Sequence, residues 1–231
     1  MLESSHQDLG ELLVREEQTL DLGPLLDKVK NSEIQSQKLR LVVNSLGRAE
    51  TYSGYFWNQY LETSRRKKYL GWTFNKDENG FSERTKCEAN IMGFLHNIHI
   101  ICDQFPFALK SSLLHPLKKD GKPLLDRDCG WMPEFMKAIK AIPSSENLLQ
   151  KMADFEKDED FQTLKKIVNL SKHRYIHEFV WRNGNIFLQI RDFDEVQETS
   201  MIEHDVNTLM IRVSNNLVPK IYDLYEEAKR L

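Results

Sequence analysis

Between Glu33 and Leu70 the apolar residues return at the spacing of an α-helix. Leu39, Val42, Val43, Leu46, Tyr52, Tyr55, Phe56 and Tyr60 keep a period near 3.6 through most of the run. A helix of that length carries an apolar stripe that must be covered by other elements, so the run points to helices packed on helices. A second long helix is expected from Ser82 through Ile91, Phe94, Leu95, Ile98, Ile101, Cys102 and Phe105. Pro106 should kink or end it, because proline lacks the backbone donor and crowds the preceding turn.

Shorter helical patterns flank this pair. Leu9, Leu12 and Leu13 mark an amphipathic segment over Ser5–Leu20, interrupted by Gly23-Pro24. Pro24 then suits the first turn of a helix through Leu25, Leu26 and Val29, and Ser32 suits the cap of the long helix after it. Asn75–Gly80 and His115–Gly130 read as exposed loops. Pro133 opens a short helix with Phe135, Met136 and Ile139. Pro143-Ser144 breaks it, and Ser144 or Ser145 caps the next, with Leu148, Leu149 and Met152 inward. A helix over Asp158–His177 buries Phe161, Leu164, Ile167, Val168 and Leu170.

After that helix the period changes from 3.6 to 2. Phe179-Val180-Trp181, the turn pair Asn183-Gly184 and the run Ile186–Ile190 form a hairpin signal. The last helix covers about His204–Arg230, bent at Pro219. The fold class expected is mainly all-α, a multi-helix up-and-down bundle with one late β-hairpin. It forms one domain over 1–231, with 1–31 as an N-terminal helical extension and 178–192 as the hairpin insertion.

Composition narrows the partners. The 231 residues carry 32 Lys+Arg against 35 Asp+Glu, a formal net charge of -3, so binding to nucleic acid would need a local basic patch. Such a patch is available at Arg65-Arg66-Lys67-Lys68, near Tyr69 and Trp72, although a solvated helix end explains it as well. Cys87, Cys102 and Cys129 show no CxxC spacing and are expected to be reduced. The start Met1-Leu2-Glu3-Ser4-Ser5-His6 lacks a signal-peptide pattern, and no run reaches the ~20 apolar residues of a membrane span. A cytoplasmic protein with no membrane partner is expected.

Two polar clusters sit on helices otherwise given to the core. In His96-Asn97-Ile98-His99-Ile100-Ile101-Cys102-Asp103, His99 and Asp103 are four apart and share a face, with His96 on the same side one turn earlier. In Asn169-Leu170-Ser171-Lys172-His173-Arg174-Tyr175-Ile176-His177, Asn169, His173 and His177 recur every four residues, flanked by Lys172 and Arg174. Imidazole, amide and fixed cations together suit a phosphate-bearing ligand, or acid–base chemistry on RNA.

These residues resemble a known family. Asn169, Lys172, His173 and Arg174 on a late helix, preceded by His99 and Asp103 on an earlier one, are similar to the HEPN superfamily of helical nucleotide-binding and RNase domains, in particular its small bacterial branches. The resemblance implies RNA or nucleotide as ligand, no DNA, and a C2 homodimer in a defence, toxin–antitoxin or regulatory system. It also implies a metal-independent endoribonuclease if the chain is an enzyme. His173 or His177 would then be the base, Lys172 and Arg174 would stabilise charge at phosphate, and Asn169 would orient the group. His99 and Asp103, with His96 beside them, would support the site from behind. RNase members carry an Arg followed after four to six residues by a His, whereas only two residues separate Arg174 from His177, so enzyme status stays open.

Other readings stand beside this one. His99 and Asp103 form a satisfied structural pair in one, and the cations crown a solvated helix end in another. His173 and His177 supply half a metal site at most, and neither metal nor cofactor is expected. A non-catalytic interaction module or a small-ligand sensor is the alternative function.

Overall fold

The computed structural model describes residues 20–31, 36–72, 78–112, 118–119, 122–125, 128–173, 177–182, 185–192 and 200–231. The expected helix over Ser5–Leu20, the Ser32 cap and the Asn183-Gly184 turn lie almost wholly outside these residues. Helix α1 (Gly23–Asn31) leads into α2 (Ser36–Trp72) and α3 (Glu78–Ser112). The last two run antiparallel. Phe56 meets Phe94 at 5.9 Å between ring centroids, a Cβ on Gly93 would touch the Gln59 side chain, and Arg66 pairs with Glu83. Leu20, Leu22 and Leu25 are buried in the same core, so the stretch around α1 packs into the bundle.

Helix α3 is central and packs against α1, α2, α6 and α8. It continues through Pro106, so of the expected kink or end the proline does not bring the end. The proline withholds the amide that the Cys102 carbonyl would otherwise accept. In its place the Trp131 indole Nε1 donates to the Cys102 oxygen at 3.1 Å. One residue earlier the Tyr225 hydroxyl donates to the Ile101 oxygen at 3.0 Å. Trp131 also stacks on Phe105 and Phe155, which helps keep the indole in place.

Between α3 and the later helices, β1 (Lys118–Lys119) and β2 (Lys122–Pro123) pair antiparallel inside the stretch expected to be loop. Helices α4 (Pro133–Ile139), α5 (Glu146–Glu156) and α6 (Glu159–His173) follow. Ser145 is the N-cap residue of α5, as expected, but its side chain makes no capping hydrogen bond. Its hydroxyl donates back to the Ile139 oxygen at 3.0 Å, while Ser144 takes up a positive φ of 64°. Asp158 caps α6 instead, accepting from the amides of Asp160 and Phe161.

The late hairpin is part of a three-stranded antiparallel sheet ordered β3 (Glu178–Arg182), β4 (Asn185–Asp192), β5 (Ser200–Asp205). Its buried face carries Ile186, Leu188 and Ile190, and Phe179 lies across from Leu188 on the neighbouring strand. Trp181 ties the sheet to α3, donating to Glu88 at 2.8 Å beneath the Arg84 guanidinium. His204, expected in the last helix, belongs to β5, and Asp205 caps the helix that follows. That helix runs as α7 (Val206–Arg212), a π-turn (Val213–Leu217) and α8 (Val218–Ala228). The wide turn lies just before Pro219, where a regular helix would lose an amide, so the proline is absorbed without dividing the helix. No helix among the described residues is long and apolar enough to cross a membrane.

Candidate functional site

The two polar clusters meet where the middle of α3 faces the end of α6. Along α6 the inward positions are Phe161, Leu164, Val168 and then Ser171, where polarity enters an otherwise buried line. The Ser171 hydroxyl donates to the Val168 carbonyl at 2.8 Å. Its single proton is thereby used, so the 2.8 Å contact with His96 Nε2 has the imidazole as donor. This fixes His96 with a hydrogen on Nε2 and leaves Nδ1 as the basic nitrogen of the neutral ring.

Charge at this junction is one-sided. Burial lowers the readiness of His96 to protonate, and the Lys172 ammonium lowers it further, as do the imidazoles of His99 and His177. A neutral imidazole beside a lysine that is exposed at the helix end can offer a ligand a proton acceptor for its hydroxyl and a fixed positive charge for its anionic group.

His99 lies behind it and is only 1% exposed. Its Nδ1 comes within 3.1 Å of an oxygen of Asp103, whose carboxylate is half in solvent. The approach is off-line, so neither ring nitrogen makes a hydrogen bond among the described residues, and the link to Asp103 is one of proximity and charge. His177 is outside α6, just before β3, so it does not continue a helical stripe from Asn169. It is buried, and its Nε2 donates to the Ile167 carbonyl at 2.7 Å, which pins the chain leaving α6 back onto the helix.

Asn169 is exposed, on the side of α6 away from Ser171. The backbone of His173 ends the described part of α6, while its side chain and all of Arg174 lie outside the described residues. Ser171 was the residue that motif reading passed over. Its signal was positional: three residues after Val168, it falls on the apolar line.

The other candidates resolve differently. Arg65 pairs with Glu62 at 2.7 Å, and Arg66 reaches both Glu62 and Glu83, so these guanidiniums are engaged by carboxylates. None of the three cysteines is joined in a disulfide, and burial pushes the Cys102 thiol far up. Among the described residues no three His, Cys, Asp or Glu groups gather as a metal site. An open hollow of about 680 Å³ between α4 and α5, bordered by Lys137, Lys140 and Leu149, contains none of the imidazoles. Set against protein-family models, curated proteins and solved structures, the chain has no match in any of the three comparisons.

Proposed function

We propose that the chain is an HEPN-like RNA- or nucleotide-binding protein of a bacterial defence, toxin–antitoxin or regulatory system, working in the cytoplasm as a homodimer. Its ligand surface is the junction of α3 with the end of α6. The observation that carries this is the 2.8 Å bond from His96 to Ser171, which draws imidazole chemistry on one helix beside the Lys172 cation on the other. Phosphate is the anion the lysine suits, binding it as a point charge, while the unprotonated Nδ1 of His96 suits a hydroxyl of the same ligand, such as that of a ribose.

In the catalytic form of this function the protein is a metal-independent endoribonuclease. An imidazole, that of His173 by preference, removes the proton of a ribose 2′-hydroxyl, and the freed oxygen attacks the neighbouring phosphorus. Lys172 and Arg174 stabilise the charge growing on the phosphate oxygens, and Asn169 orients the group. His177 suits that role less, because its ring is buried in the core and held there by the Ile167 carbonyl, away from a ligand at the surface. That same burial of His99 and His177 favours the alternative, a binding module without catalysis.

Two measurements decide. Labelled RNA should bind with an affinity that falls with salt. Lys172→Glu should weaken it and reduce the salt slope by about one contact if a phosphate is lost. Cleavage of RNA in EDTA, compared between the wild type and His173→Ala, separates enzyme from binder: equal background in both removes the nuclease form. Absence of RNA binding together with no thermal shift from mononucleotides removes the whole proposal.

A further inference from the structure

Among the described residues, helix α2 is covered by α3 and by the stretch around α1, and the side that carries Arg48 and Tyr55 is exposed. Tyr55, expected in the core stripe, stands there 52% exposed, and Leu61, about a third of a turn round the helix, is 37% exposed. On the adjoining strip nothing comes within 4 Å of where a Cβ would stand on Gly47 or Gly54. The charges on this side follow a simple pattern. Arg48 lies seven residues before Tyr55 and Glu62 seven after, so the three fall nearly in line, each charge two turns from the ring.

We infer that this face of α2 binds a second copy of the chain, the two α2 helices crossing antiparallel about a two-fold axis at Tyr55. Equal spacing is what a two-fold contact requires. An axis at Tyr55 sets Arg48 against the partner's Glu62 and, by the same operation, Glu62 against the partner's Arg48, so each contact forms twice. The tyrosine rings meet at the centre, where an amphipathic aromatic suits a small interface. A parallel or shifted pairing would lose both ion pairs.

Nothing in the chain's own contacts competes strongly. Among the described residues Arg48 enters no ion pair. Glu62 already accepts from Arg65, a solvent-exposed pair along one helix and worth little, and lies 3.4 Å from the largely buried Arg66, but a carboxylate has room for another donor. The contact is built on one helix per copy, so it belongs at the small end of interfaces, below roughly 1,200 Å² in total, and its association should be weak and salt-sensitive.

This surface gives the proposed homodimer its contact and rests on that part of the proposed function, but it does not depend on what the α3–α6 junction binds. Sedimentation equilibrium of the full chain without nucleic acid tests it. The wild type should show a concentration-dependent dimer. Arg48→Glu and Glu62→Arg should each weaken it by roughly tenfold or more, since each sets two like-charge pairs face to face. The double variant R48E/E62R restores opposite charges at both points and should recover most of the affinity. Tyr55→Ser, which leaves the charges alone, should also weaken it. All three substitutions are at solvent-exposed or half-exposed positions, and circular dichroism verifies the fold of each of the four variants. A wild type that stays monomeric up to its solubility limit overturns the inference. So does a dimer indifferent to the single reversals, or one that the double reversal fails to recover. RNA or nucleotide binding would survive any of these results.

Discussion

His96 donates through Nε2 to Ser171, sits beside Lys172, and is held neutral chiefly by burial. Burial also lowers His204, aided by the Arg212 and Lys166 cations. Both rings therefore bind a proton less readily in the fold than in the unfolded chain, and acid favours the unfolded chain. Their stabilising contribution is complete above the ordinary histidine value of about 6.5 and is lost as pH falls through their lowered folded values. Lower still, Asp158 adds a loss of the same sign. Burial opposes its charge, yet Lys220 and the amides at the head of α6 hold its carboxyl below the ordinary range. The melting temperature should accordingly drop on acidification from pH 6.5, and His96→Gln should flatten that slope even though the lost bond to Ser171 lowers the starting value. A slope unchanged in both His96→Gln and His204→Gln contradicts this account. At this scale the sequence was readable where a relation is local. His99 and Asp103 at four residues' separation do face one another, while the partnership of His96 with Ser171 spans 75 residues and left only the odd position of a serine as a trace.

Among the elements, α3 behaves least as its sequence suggests. A proline in the interior of a helix removes a hydrogen bond and crowds the carbonyl four residues back, at a cost of about 3 kcal/mol in an exposed helix. Here that carbonyl, on Cys102, accepts the Trp131 indole, and its neighbour on Ile101 accepts the Tyr225 hydroxyl. Trp131→Phe keeps an aromatic ring in the stack and deletes the donor, so it should destabilise by about 1–3 kcal/mol. In a Pro106→Ala background the restored amide can take over the Cys102 carbonyl, and the same substitution should be milder. Denaturant midpoints for the four proteins of this cycle measure the coupling, and strict additivity would show that proline and indole act independently. The late sheet illustrates the opposite case. Its first two strands announce themselves through alternation and the Asn183-Gly184 pair, whereas β5 reads Ser-Met-Ile-Glu-His-Asp, with too little alternation to separate it from the helix behind.

Across the whole molecule one hydrophobic cluster joins residues from Leu20 to Ala228 and draws on the long helices, the later helices and the sheet alike. Unfolding should therefore be concerted, with far-UV and near-UV circular dichroism giving coincident transitions in urea. Separated transitions would divide the chain into independently folding parts. What the sequence determined by itself was the kind and order of most elements: the long helices, the short helices after Pro133, and the change of period that brings in strands. Periodicity is written into neighbouring residues, so it can be read without knowing what an element packs against. The tertiary structure alone decided that α3 continues past Pro106, that Tyr55 leaves the core, and that His96 finds Ser171. Each depends on groups brought together from distant parts of the chain, as in the 124-residue span from Ile101 to Tyr225. A carbonyl without its amide, or a hydroxyl on an apolar line, acquires meaning only when folding supplies the donor or acceptor that a dry interior demands.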